Sequence, residues 1–80
     1  MIMVTNVEIL ENYRLLLTFN NNASGYFDMS NKLEKGLFQK LKDYDFFSNV
    51  QIIDGALAWE MDDGYILDLC PSSTFKQLER

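Results

Sequence analysis

Histidine is absent from this sequence, and that removes several chemistries at once. Without imidazole there is no Ser-His-Asp or Cys-His nucleophile system and no histidine-based metal site. Cysteine is nearly absent as well. Cys70 stands alone, so no intrachain disulfide can form, and a lone thiol suits a reducing compartment. It has no cysteine or histidine partners for zinc and reads as a small packed apolar side chain. Bases are scarce, seven against twelve acids, which gives a net charge of −5. A nucleic-acid binder needs a basic surface to displace counterions, so this balance argues against a nucleic-acid partner. No apolar run approaches the ~20 residues of a membrane-spanning helix. The opening Met1-Ile2-Met3-Val4-Thr5-Asn6 has neither the basic start nor the apolar stretch of a secretory leader. The expectation is a cytoplasmic protein without a membrane partner.

What is present is ordinary globular material. Of 80 residues, 48% are hydrophobic and 24% charged, enough for one core and one domain over 1–80. Ile2 to Leu10 is rich in β-branched residues, and Glu11-Asn12 is a turn. From Tyr13 to Phe19, Leu15, Leu17 and Phe19 alternate with Arg14, Leu16 and Thr18, the period of a strand. Asn20-Asn21-Asn22 turns the chain into a short strand from Gly25 to Met29, which completes a three-strand meander. Ser30 to Tyr44 changes period: Leu33, Leu37 and Leu41 recur every four residues and Phe38 widens the stripe. Gly36 costs about 1 kcal/mol in a helix interior, so the prediction is a turn or 3₁₀ piece up to Gly36 and a regular helix only after it. Asp54-Gly55 between Val50–Ile53 and Ala56–Met61 is the preferred type I′ hairpin loop. Asp62-Asp63-Gly64 makes a second turn into Tyr65–Leu69. Pro71 stops that strand, and Ser72-Ser73-Thr74 offers an N-cap for a short helix from Phe75. The fold class is α+β: an antiparallel sheet built from two β-meanders flanking one central helix, with a short C-terminal helix. So small a domain is marginal, which leaves a homodimer open.

The order of these residues carries a resemblance. Leu15-x-Leu-x-Phe19, Tyr26-Phe27-Asp28, Gly36-Leu37-Phe38-x-x-Leu41, Phe46-Phe47-x-x-Val50, Leu57-x-Trp59 and Gly64-x-x-x-Asp68 follow in sequence over about Val4 to Phe75. This pattern resembles the small bacterial family called domain of unknown function 2442. The resemblance implies a compact α+β fold with an antiparallel sheet, and no activity, cofactor or catalytic residue. It also implies partnership with another small protein, in an arrangement similar to toxin–antitoxin modules. Two stretches depart from the family pattern. Trp59-Glu60-Met61-Asp62-Asp63-Gly64 replaces a shorter Trp-Pro-x-Gly-like turn, and Pro71-Ser72-Ser73-Thr74-Phe75 lacks the usual acid after proline.

Several clusters invite a chemical reading. Asp54, Glu60, Asp62, Asp63 and Asp68 suggest an oxygen-ligated cation, yet reading back from Gly64 an EF-hand would need acids where Trp59 and Met61 stand. Asp-Gly is also what hairpins favour for backbone reasons alone. Asp28 lies at a strand–helix junction, where helix capping or a turn bond accounts for it. Lys35 and Lys42 fall on one helical face opposite Leu33 and Leu37, either a basic patch or a solvated surface. Trp59 belongs to the core, while Tyr26 and Tyr65 sit near turns where an exposed ring marks a binding surface. The strand edges of the terminal strands offer strand addition, which Glu8 and Glu11 discourage near the start. The reading is a non-enzymatic interaction or regulatory module, contacting a basic small bacterial protein through Tyr26, Asp28, Lys35, Lys42 and Tyr65. No catalytic, cofactor or metal residue is assigned. The alternative is a small metal- or metabolite-dependent enzyme built on Asp28 and the Asp62/Asp63 turn.

Overall fold

Alternation along Arg14–Phe19 organises the first sheet. Leu15, Leu17 and Phe19 are buried, whereas Arg14, Leu16 and Thr18 are half-buried, as a strand with one face on a core requires. The computed structural model describes residues 1–79. In it this strand is β2, the middle of an antiparallel meander with β1 (Val4–Ile9) and β3 (Ser24–Asp28). The β1–β2 turn places Asn12 and Tyr13 at φ 61° and 60°. Asn suits that region because its short side chain bonds locally. Tyr13 has no such compensation, and its left-handed backbone costs about 1–2 kcal/mol that packing must offset.

A second antiparallel sheet follows in the order β4 (Gln51–Ile53), β5 (Ala56–Glu60) and β6 (Ile66–Asp68). Its first turn carries Asp54 at φ 51° and Gly55 at φ 80°, the two positive angles of the type I′ loop. Gly55 is also a point of close approach, since a Cβ there would lie 2.7 Å from the Cβ of Met3. The two sheets meet along β1 and β4, and the Val4 N–H donates to the Gly55 carbonyl at 2.8 Å.

The linking segment differs from the expected regular helix. It forms 3₁₀ turns at Ser30–Lys32 and Gly36–Lys42, then a single α-turn, α1 (Tyr44–Phe47). Lys35 is extended and Gly36 sits at φ 51°, so Leu33 belongs to a different turn from Leu37 and Leu41. With three residues per 3₁₀ turn, Phe38 and Leu41 share one face and Leu37 shares another with Lys40. Leu41 is accordingly buried, while Leu37 is 47% exposed. Asp43 then starts α1 by accepting hydrogen bonds from the Asp45 and Phe46 amides.

The terminal helix also starts earlier than expected. α2 spans Pro71–Lys76 with proline in its first turn, where the missing N–H is one a helix leaves unpaired anyway. Cys70 thereby becomes the N-cap residue, and its carbonyl accepts from the Thr74 amide and hydroxyl. That geometry leaves the Cys70 side chain exposed, not packed. Phe75 returns the helix to the first sheet, its ring centroid 5.1 Å from that of Phe19.

One core joins these parts. Trp59 is 1% exposed and its indole N–H donates to the Phe47 carbonyl at 3.0 Å. The Phe47 ring lies between Trp59, stacked at 6.2 Å, and Tyr13, edge-on at 5.2 Å. The Tyr13 hydroxyl donates to the Lys42 carbonyl and the Tyr44 hydroxyl to the Leu10 carbonyl. These contacts are what hold Tyr13 in its left-handed conformation.

Trp59→Phe removes the indole donor and leaves the Phe47 carbonyl without its partner, an expected loss of about 2–4 kcal/mol. A domain of this size is worth only about 4–12 kcal/mol in total. Urea unfolding followed by circular dichroism reads the difference. Gly55→Ala meets both a positive φ and Met3, whereas Gly36→Ala meets only its φ, with open space around it. The first should therefore lower the urea midpoint more than the second; equal losses would count against the close approach at Met3.

Candidate interaction surface

Tyr26 and Asp28 alternate on β3, and the register sets them opposite Leu16 and Arg14 on the outer face of the first sheet. The Arg14 guanidinium lies 4.9 Å from the Tyr26 ring centroid and 4.0 Å from the Glu79 carboxylate. Tyr26 is 40% exposed, but its backbone is occupied. Its N–H donates to the Glu79 carbonyl at 2.8 Å and its carbonyl accepts from Glu79 at 2.7 Å. Asp28 closes a local turn, with Oδ1 accepting from the Ser30 amide at 2.9 Å. That hydrogen bond, the Ser30 hydroxyl and the nearby Arg14 charge hold its carboxyl below the usual range, against a smaller opposing effect of burial.

Lys35 and Lys42 do not share a face. The chain is extended at Lys35, and Lys42 is taken up by Glu34, Nζ to Oε1 at 2.6 Å. Lys32 lies over the Phe27 ring, 5.6 Å from its centroid. The basic residues of this segment are therefore dispersed rather than gathered into a ridge. Among the described residues, no hydrogen bond or ion pair joins Lys35, Lys42 or Tyr65 to Tyr26 or Asp28. The five expected surface residues thus divide among the first sheet, the 3₁₀ segment and the second sheet.

The carboxylates divide in the same way. Asp28 ends β3, whereas Asp62 and Asp63 form the β5–β6 turn, with Asp63 Oδ1 accepting from the Tyr65 amide at 3.0 Å. Among the described residues, no three acidic or thiol side chains converge as metal ligands would. Cys70 lies at the start of α2, where the Ser73 and Ser72 amides, the Ser73 hydroxyl and Lys76 pull its thiol pKa down. No helix among these residues is long and apolar enough to cross a membrane.

Tyr65 is the expected residue with the most informative surroundings. It is 54% exposed and precedes Ile66, itself 39% exposed, at the outer strand of the second sheet. Met61 N–H donates to the Tyr65 carbonyl and Leu69 N–H to the Leu57 carbonyl, with Trp59 opposite Leu67 between them. In an antiparallel ladder this turns the odd-numbered residues inward and leaves the amides and carbonyls of Ile66 and Asp68 on the open side. The other sheet edges are engaged differently: β1 and β4 adjoin, and Glu79 pairs with β3. Along β1, no large apolar side chain is exposed among the described residues.

Successive side chains of β6 point to opposite faces, and each face has a groove. On the Tyr65 side, a groove of about 310 Å³ is lined by Leu37, Lys40, Met61, Asp62, Asp63 and Tyr65. On the Ile66 side, a groove of about 380 Å³ is lined in part by Met3, Ile53, Ala56, Ile66, Asp68 and Cys70. Sequence reasoning missed Ile53, Ile66 and Leu37. The Ile53–Ala56 and Glu60–Ile66 pairings were the available signal, since they set both isoleucines on the face opposite Leu57 and Trp59.

Asp28 also gives a pH prediction. Its carboxyl is depressed in the folded state, so its stabilising contribution is present at and above the ordinary carboxylate range. It is lost as pH falls below that range through the depressed value. Asp28→Asn should narrow the stability gap between neutral and acid pH, measured as urea midpoints at each. An unchanged gap would remove Asp28 from the acid response.

Comparison with curated proteins finds no match, and no solved structure matches the chain. A family model described as Protein of unknown function (DUF2442) matches residues 4–73. With most of its length inside that match, the chain belongs to this family.

Proposed function

We propose that this protein is a non-enzymatic interaction module that regulates or neutralises a small basic partner, as one half of a two-protein pair. The observation that carries this reading is the open β6 edge, flanked by the exposed side chains of Tyr65 and Ile66. Exposed apolar side chains beside unpaired backbone groups are a liability in a solitary protein, and a partner gives them a use. The acid excess favours a basic partner, because complementary potentials speed encounter and disfavour wrong pairings. The dispersal of the lysines and their local engagement by Glu34 and Phe27 support this over phosphate or nucleic-acid recognition.

The test is a tagged pull-down from the native host at low ionic strength, eluted with salt, run in parallel with Ile66→Glu. Ile66 is exposed, so this variant keeps the core intact. A stoichiometric basic protein retained by the native chain and lost from Ile66→Glu, with unchanged circular dichroism, is the expected result. No salt-eluted protein, or equal retention by the variant, would remove the support for this reading.

A further inference from the structure

The interaction reading leaves the partner's shape undefined, and the β6 edge constrains it. Ile66 and Asp68 present their backbone N–H and C=O groups outward. Tyr65 and Ile66 send their side chains to opposite faces, each into a different groove. The groove beside Ile66 sets apolar Ile53 and Ala56 beside the carboxylates of Asp54 and Asp68. The groove beside Tyr65 joins apolar Leu37 and Met61 to the carboxylates of Asp62 and Asp63.

We infer that β6 accepts an extended, antiparallel strand from a basic partner, in which apolar and long basic residues alternate. Resting on the proposed function above, this specifies the chemistry of the partner. Residues opposite Ile66 and Asp68 form the hydrogen-bonded pairs, and their side chains fall on the Ile66 side. An apolar side chain opposite Ile66 meets Ile66, Ile53 and Ala56. The intervening residues fall on the Tyr65 side. A Lys or Arg there lays its aliphatic stem along Tyr65 and Leu37 and carries its charge to Asp62 and Asp63. Charge selects this occupant over a second copy of the chain. Asp62 and Asp63 line the Tyr65 groove, Asp54 and Asp68 line the Ile66 groove, and Glu60 pairs with Ile66, with Lys40 the one base lining either groove among the described residues. Self-pairing brings two such acidic borders together.

The probe is a synthetic heptapeptide alternating lysine and valine, added to the ¹⁵N-labelled full chain and followed by amide shifts at two salt concentrations. The expected result is shifts centred on Tyr65–Asp68 and binding that weakens with salt. A peptide of the same composition in block order should bind at least tenfold more weakly. N-methylation of the valines, whose amides face β6, should abolish binding, whereas N-methylation of the lysines should spare it. Asp68→Pro removes an outward N–H without touching the β5 ladder and should weaken binding tenfold or more, against a small effect of Asp68→Asn. If Asp68→Pro does not fold, the N-methylated peptides make the same distinction. Shifts confined to the first sheet or to residues 32–42, equal binding of the block peptide, or a β6-paired dimer of this chain would each overturn the inference. A salt-eluted partner that contacts another surface would defeat this inference while leaving the interaction reading in place. No partner together with no peptide binding would defeat both.

Discussion

The hydrogen bond from the Trp59 indole to the Phe47 carbonyl is the joint on which the molecule depends. Trp59 belongs to the second sheet, Phe47 to the one α-turn between the sheets, and Tyr13 to a turn of the first sheet. Phe47, stacked on Trp59 and met edge-on by Tyr13, therefore ties together both sheets and the segment between them. A polar donor buried at that depth is costly when unpaired, so the bond also fixes the position of the α-turn. The left-handed backbone of Tyr13 persists because this packing over-determines it.

That joint shapes the surface as well. Drawing the linking segment towards Trp59 buries Leu41 and Phe47 and leaves Leu37 outside, beside Tyr65 and the acidic turn. Each sheet has only three strands, so exposed edges are a problem of the whole molecule. The fold answers it by setting β1 against β4 and pairing Glu79 with β3. Among the described residues β6 receives no such cover, and on the proposed reading the acids near it disfavour a second copy of the chain and favour a basic partner.

The legible parts of this fold were those governed by neighbours in sequence. Asp54-Gly55 announced its turn through the positive φ angles it favours, and Leu15, Leu17 and Phe19 announced a buried face by alternation. The segment from Ser30 to Phe47 was not legible in the same way. Its leucines repeat every four residues, which favours an α-helix, but Lys35 and Gly36 break the chain direction and the remainder tightens to 3₁₀. Cys70 was misread because Pro71 can begin a helix as well as end a strand, and the residue before it then caps that helix with its side chain in solvent. Among the expected surface residues, the exposure of Tyr65 was visible from its place after a turn. Lys35 and Lys42 were joined by a helical period that does not exist here.

Composition and local pattern were sufficient for the α+β class, both meanders, the core position of Trp59 and the exclusion of histidine chemistry. All of these follow from side-chain period, turn preference and the inventory of functional groups, which act over a few residues. Family membership was likewise written in the order of short motifs. Which edge stays open belongs to a different scale. It follows from β1 meeting β4 and from Glu79 reaching back to Tyr26, contacts between residues distant along the chain. The pairing of Leu37 with Tyr65 in one groove has the same origin. Packing of the shared core brings those segments together, because long-range proximity is set by how faces bury against one another and leaves no mark in the local period.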